Sequence, residues 1–338
     1  MTHRSLRFLG AAILTTGLLA APAGASAAGT PITLEQRPSN VSSYEGYLAW
    51  SHYDPQAGNY QLMIAQPGGR PPAAAPIAPS AEPFDVDLGG NRSGSATAVY
   101  TRCATPPSKP GGRDTNPPRG TGCDLYRLVL ETGAEEHLTK LSAPDADESQ
   151  PTIWAGDIAF IRREHGKDVL RIGNTTRTGT PTNVLARGES RTAIARPQLA
   201  HSRIAYVVQK GSSQSVHVRT IRTGGVRNVY TARSGGANFA AVTRPSWNLQ
   251  SSLLYWARTN IGSNAGNRFV RWSATTGRLA YALGDSRAIA TSWVDTATGM
   301  LVADGFPGGG CLGNINDTPD KSVCTISTTG PLSFTARP

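Results

Sequence analysis

Glu148-Ser149-Gln150-Pro151-Thr152-Ile153-Trp154-Ala155-Gly156-Asp157-Ile158-Ala159-Phe160 reads as two short strands, Gln150 to Trp154 and Asp157 to Ile161, hinged at Ala155-Gly156. The runs Asp168 to Ile172 and Asn183 to Leu185 follow, so four short strands succeed one another with only turns between them. The second strand recurs along the chain. Leu48-Ala49-Trp50, Ala98-Val99-Tyr100, Ile158-Ala159-Phe160, Ile204-Ala205-Tyr206, Leu253-Leu254-Tyr255 and Leu301-Val302-Ala303 each read as one buried strand, and their third residues lie 50, 60, 46, 49 and 48 positions apart. The long interval holds a Pro- and Gly-rich insertion between Cys103 and Cys123. Removing part of it restores a common period of about 50 residues.

Four short antiparallel strands per unit, repeated six times, specify one all-β domain, a six-bladed β-propeller, with seven blades as the alternative. Composition agrees. The 37 Gly and 24 Pro are spread along the chain, and charged residues make only 17% of it. No stretch of about 11 or more residues beyond the N-terminus keeps a helical apolar period. The middle strands of a blade lie between neighbouring blades, which accounts for runs that are apolar on both faces. Pro31-Ile32-Thr33-Leu34-Glu35 and Pro331-Leu332-Ser333-Phe334-Thr335 are both strand-like, and either could close the ring as the outer strand of the last blade.

The first 27 residues have the form of a cleaved secretory signal. Arg4 and Arg7 precede an apolar run from Phe8 to Ala21, too short to span a bilayer, and Ala25-Ser26-Ala27 offers a small-residue cleavage site. Residues 28–338 are then a single secreted, extracytoplasmic domain, with no transmembrane segment expected. Outside the cytoplasm the four cysteines should pair, and their loop-flanking positions favour Cys103 with Cys123 and Cys311 with Cys324. No pair has the short spacing of zinc ligands, and no metal or cofactor is expected.

Gln150-Pro151-Thr152-Ile153-Trp154 leading to Ile158-Ala159-Phe160, and Arg244-Pro245-Ser246-Trp247 leading to Leu253-Leu254-Tyr255, resemble the repeat of TolB-like (PD40/WD40-like) propellers, in which Pro-x-Trp leads into an Ile-Ala-Phe/Tyr strand. About four of the six units carry it. The Ser-Pro-Asp-Gly turn of that repeat is replaced here, so the resemblance is to the repeat and not close to TolB itself. It implies the fold; propellers host unrelated activities.

Charge is distributed unevenly. The formal net charge is +10, carried by 28 Arg and 5 Lys against 23 acids. From Arg162 to Arg287 there are 18 Arg and 2 Lys but only Glu164, Asp168, Glu189 and Asp285, a local net of +16. Arg162, Arg163, Arg171, Arg196, Arg219, Arg222, Arg244, Arg258 and Arg271 are therefore expected to leave through strand ends, loops and outer edges of blades three to five. There they would form a basic arc for an anionic cell-envelope polymer or an envelope protein. No nucleic-acid-binding module is recognisable.

Catalytic signals are sparse. Gly284-Asp285-Ser286-Arg287-Ala288 approximates a nucleophile elbow but lacks the strand-to-helix flanks that strain the serine outward. The six histidines show no metal-ligand spacing. His52, just after a core strand, is the best single candidate for a catalytic role. Asp145-Ala146-Asp147-Glu148 and Asp85-Val86-Asp87 read as acidic turns between blades rather than calcium loops. The sequence thus favours a non-enzymatic binding propeller. The alternative is a lyase or hydrolase acting on a carbohydrate or lactone in the central funnel, which needs ionisable side chains from different blades converging on the axis.

Overall fold

The computed structural model describes residues 30–35, 37, 40–106, 120–174, 182–233, 239–261, 267–283, 287–295, 299–305 and 324–336. The leader, Cys311 and the segment 284–286 lie outside them. Described elements are all strands apart from turns and a single-residue 3₁₀ position at Asp295. In chain order they are β1 (Thr30–Glu35), β2 (Val41–Tyr44), β3 (Tyr47–Asp54), β4 (Asn59–Ala65), β5 (Ala73–Ala74), β6 (Asp87–Gly90), β7 (Ala96–Thr105), β8 (Thr121–Val129) and β9 (Ala134–His137). Then come β10 (Asp147–Trp154), β11 (Asp157–Glu164), β12 (Lys167–Asn174), β13 (Asn183–Arg187), β14 (Thr192–Ala200), β15 (Arg203–Lys210), β16 (Ser213–Thr220) and β17 (Val226–Arg233). The last are β18 (Phe239–Val242), β19 (Ser246–Trp247), β20 (Leu253–Ile261), β21 (Arg268–Ser273), β22 (Leu279–Leu283), β23 (Arg287–Val294), β24 (Gly299–Gly305), β25 (Cys324–Thr328) and β26 (Thr335–Ala336).

They form six antiparallel sheets, the six blades of a propeller. Blades one to four are β2–β5, β6–β9, β10–β13 and β14–β17, each a simple meander from an inner to an outer strand. Blade five is β18 and β19 on β20, then β21, β22 and β26. Blade six is β23-β24-β25-β1, so the N-terminal strand closes the ring, Leu34 pairing with Thr325. The C-terminal strand instead pads blade five, Thr335 pairing with Tyr281. All six repeated runs fall on the second strand of a blade.

Those second strands explain the core. Each blade junction holds one apolar cluster, six in all. Successive residues of a middle strand alternate between the two junctions it faces. In β11, Ile158 and Phe160 pack toward blade two while Ala159 and Ile161 pack toward blade four. In β20, Leu254 and Trp256 face blade four while Tyr255 and Ala257 face blade six. Both faces are buried, which is why these runs carry no polar alternation.

A second tie runs round the inner strands. Ser42, Asp87, Thr152, Ser246 and Ser292 occupy equivalent places, and each side chain accepts a backbone N–H from the next blade. The donors are Leu88 (2.9 Å), Ile153 (3.2 Å), Leu199 (2.9 Å), Trp293 (2.9 Å) and Ser43 (3.0 Å) respectively. At the sixth junction the Trp247 indole donates to the Gln198 carbonyl at 3.1 Å. These bonds satisfy edge N–H groups that have no ladder partner inside their own blade. The same positions pair with Ala49, Val99, Ala159, Tyr255 and Leu301. The equivalent second-strand residue is thus the middle of the recognised run in blades one to three, but its last residue in blade five and its first in blade six.

Candidate functional site: the axis and the turn face

The axis is built by three bulges. In blades three and four the register shifts between Ser149 and Thr152 and between Ala195 and Gln198, leaving Gln150-Pro151 and Arg196-Pro197 out of the ladder. Arg244-Pro245 lies in the corresponding gap between β18 and β19. Proline has no N–H to give a ladder, and a bulge re-aims the residue beside it. Gln150 (φ 51°) and Arg196 (φ 55°) are left-handed, a conformation that costs a non-glycine residue about 1 kcal/mol. Their side chains turn out of the blade toward the centre of the ring.

There they interlock. Asp85 accepts from the N–H groups of Thr101 (2.8 Å) and Gln150 and from the Thr101 hydroxyl. The Gln150 side-chain oxygen accepts from Arg196 N, and Arg196 in turn donates to the Val242 carbonyl. Arg244, from blade five, crosses the ring to donate to the carbonyls of Val86 in blade two (3.0 Å) and Pro151 in blade three (2.9 Å). It lies 3.7 Å from Asp87, which also accepts from Ser42 Oγ (3.0 Å) and Gln198 Nε2 (3.3 Å). Burial, with a lesser contribution from the Arg244 charge, holds Arg196 down to about 10, still protonated at neutral pH.

Arg196 and Arg244 thus depart from the sequence expectation. They do not leave through edges; the Arg-Pro bulges direct them inward, where backbone carbonyls of neighbouring blades receive them. Ionisable groups from blades two, four and five do converge on the axis, as a funnel enzyme would require. Here they hold backbone groups and one another, and Arg244 acts as a cross-ring staple.

The remaining arginines divide by blade. In blade three they meet acids: Arg162 with buried Glu148 (2.6 Å), Arg163 with Asp168 (3.4 Å), and Arg171 (2.5 Å) and Arg187 (3.3 Å) with Glu164. Blades four and five carry no acid of their own, because Ser190 to Gly284 contains 12 Arg and 1 Lys and no Asp or Glu. Arg258 and Arg271 are half-buried, Arg271 lying 4.9 Å from the Phe334 ring centre under the C-terminal strand. Arg203, Arg219 and Arg222 sit where β14 hands over to β15 and β16 to β17, and Arg278 sits in the matching turn of blade five. These turns open on one face of the disk. Arg222 and Arg278 are exposed there, and Arg227 is exposed beside them with its guanidinium 5.8 Å from the Trp272 ring centre.

His52 lies at the seam of the ring. Its Nδ1 is 2.8 Å from Glu35 on the closing strand β1, and Glu35 also accepts from the Trp50 indole at 2.8 Å. Burial raises the Glu35 carboxyl above its ordinary range, and the His52 contact works against that rise. Of the acids expected in turns, Asp87 opens β6 and Asp147 and Glu148 open β10, where Asp147 accepts from Cys123 N at 3.1 Å; Asp85 and Asp87 act as described. Among the described residues, no group of three His, Cys, Asp or Glu side chains is placed to hold a metal ion. No described helix is long and apolar enough to cross a membrane. Cys103 and Cys123 face each other across β7 and β8 and form a disulfide, while the Cys311 to Cys324 pairing falls outside the described residues.

No family model and no curated protein matches the chain. Solved structures do. TolB from Acinetobacter baumannii superposes with a TM-score of 0.55 at 14% identity over 86% of this chain, which spans 65% of the length of that protein. A nidogen/laminin complex gives 0.50 at 10% identity, covering 73% of this chain and 86% of that one. An oligogalacturonate lyase in complex with manganese reaches 0.49 at 12% identity over 87% of this chain and 76% of that one. At such identities the likeness speaks to fold alone. With six blades, the Pro-flanked inner strands and the buried second strands in place, the chain is a six-bladed β-propeller whose fold is similar to that of TolB, at a distance in sequence.

Proposed function

We propose that this is an extracytoplasmic, non-enzymatic binding propeller whose turn face over blades four and five takes an anionic cell-envelope polymer. The carrying observation is the acid-free stretch from Ser190 to Gly284, which leaves Arg222, Arg227 and Arg278 on one face with no Asp or Glu in their own blades. Guanidinium forks suit carboxylate and phosphate oxygens, and a one-signed face attracts polyanions at long range. The leader-like N-terminus and the Cys103–Cys123 disulfide support an extracytoplasmic setting. The stapled axis supports binding over funnel chemistry.

The test is binding of polyphosphate across a salt series. Affinity should fall steeply up to physiological salt, where charges are screened within about 8 Å. Arg222→Gln with Arg278→Gln should weaken it severalfold while leaving stability within about 0.5 kcal/mol. Salt-independent binding, or equal loss on replacing Glu135 and Glu136 of blade two, would refute the proposal. Capture of an envelope protein with no polymer affinity would replace the polymer by a protein partner.

A further inference from the structure

The same face carries an aromatic group that charge does not explain. Tyr44 ends β2 in blade one, Trp154 ends β10 in blade three, and His201 follows β14 in blade four. The Tyr44 and Trp154 rings meet edge to face at 6.4 Å, and the Trp154 and His201 ring centres lie 4.4 Å apart. Trp154 and Tyr44 are half-buried, each packing on its inner side against the adjoining cores, and His201 is exposed. The His201 ring is anchored by a 3.1 Å contact from Nε2 to the Leu249 carbonyl of blade five.

Two glycines make room for the group. A Cβ on Gly90 would stand 2.6 Å from the Tyr44 hydroxyl oxygen, so the ring reaches across blade two only because that position has no side chain. Gly156 (φ 82°) turns directly after Trp154, and a Cβ there would meet Arg92 Cγ at 2.9 Å. Arg92, exposed on blade two, therefore lies along the turn that follows Trp154. Arg203, two residues beyond His201, is fixed by a bond to the Ser251 carbonyl at 3.0 Å. The result is a partly exposed aromatic surface drawn from three blades, rimmed by the guanidinium groups of Arg92 and Arg203 and, at the Tyr44 hydroxyl, by the exposed Glu45 carboxylate, and lying on the same face as the exposed arginines.

The geometry points to a binding site for the sugar rings of an anionic polysaccharide. Tyr44, Trp154 and His201 offer ring faces to the apolar side of a pyranose, while Arg92 and Arg203 take its carboxylate or hydroxyl oxygens. The inference rests on the anionic-polymer reading above and deepens it by naming the polymer as carbohydrate. Aromatic faces recognise a ring's C–H surface and contribute nothing specific to a linear phosphate chain.

The experiment compares polygalacturonate, an anionic sugar polymer, with polyphosphate of matched charge, against the full mature chain. Trp154→Leu keeps apolar volume against the adjoining cores and removes the ring face. His201→Ala is a surface change that keeps the test valid if Trp154→Leu fails to fold. Each should lower polygalacturonate affinity, by about fivefold to tenfold for a lost ring contact, and leave polyphosphate affinity unchanged. Arg222→Gln with Arg278→Gln should weaken both polymers. If the aromatic variants change neither affinity, or both equally, the sugar site is overturned while the polyanion reading stands. If the wild-type protein binds neither polymer, both are overturned.

Discussion

Replacing Arg244 with Met removes a side chain that joins blade five to blades two and three across the ring. Its two nitrogens donate to Val86 O at 3.0 Å and Pro151 O at 2.9 Å, and hydrogen bonds from a charged donor contribute about 1.5–3 kcal/mol each. Arg244 is 8% exposed and Asp87 1%, so the change also leaves a buried carboxylate without its guanidinium. Breaking a buried pair from one side costs about 3–5 kcal/mol, in line with the sum of the two bonds. Unfolding entropy near 2 cal/mol/K per residue, over a chain of about 300 residues, gives about 0.6 kcal/mol/K, so Tm should fall by about 5–8 °C. The assay is urea and thermal unfolding of Arg244→Met alone and in an Asp87→Asn background. The neutral amide removes the stranded charge, so the second comparison should show a smaller loss, with a coupling of about 1 kcal/mol or more. A loss below about 1 kcal/mol for Arg244→Met in the native background would refute the staple and return the axis to the candidates for chemistry.

Two further outcomes follow from buried groups elsewhere. Reducing Cys103–Cys123, or replacing both residues with Ser, should cost about 3 kcal/mol, the chain-entropy value for a loop of this size, read as a lower Tm with unchanged far-UV dichroism. Glu148 is wholly buried, and burial pushes its carboxyl up to about 7 despite the Arg162 guanidinium 2.6 Å away. A folded value above the unfolded 4.5 means a contribution fully present below pH 4.5 and lost as pH rises through 7. Glu35, Glu82 and Asp295 are raised by burial in the same direction, so Glu148→Gln should shallow the decline in stability between pH 5 and about 8 without abolishing it. An unchanged slope in Glu148→Gln would show that the Arg162 pair keeps Glu148 ionised throughout.

What the sequence displayed and what it hid divide along one physical line. Ile158-Ala159-Phe160 and its counterparts are legible because a strand squeezed between two blades must be apolar on both faces, whatever its neighbours are. Blade number and the strand on which each run lies follow from that local requirement. The ring closure was not legible: Leu34 and Thr335 sit in equally strand-like segments, and tertiary contacts separate their fates, Ile32 packing on the blade six to blade one core and Glu35 binding Trp50 and His52, while Leu332 and Phe334 pack on the blade five to blade six core. Arg196 and Arg244 were hidden for a different reason. Their direction is set by bulges and by a positive φ at Arg196, which belong to tertiary structure, so a count of charges places them on the surface with the rest.

A signal for the axis was nevertheless present in the repeat itself. Aligned on proline, Gln150-Pro151-Thr152, Arg196-Pro197-Gln198 and Arg244-Pro245-Ser246 put the same three positions in register. The first is the residue turned to the axis, and the third lies where Thr152 and Ser246 accept from the next blade. A charged residue at a position whose neighbour cannot join the ladder is a reason to expect an inward side chain, since the bulge frees it from the blade surface. The same logic bears on function. Setting aside the two axial arginines, those that meet acids in blade three and the half-buried ones leaves Arg222, Arg227 and Arg278 exposed on the turn face of blades four and five. The aromatic group of Tyr44, Trp154 and His201 opens on that same face, so charge and ring surface would meet one ligand from one side.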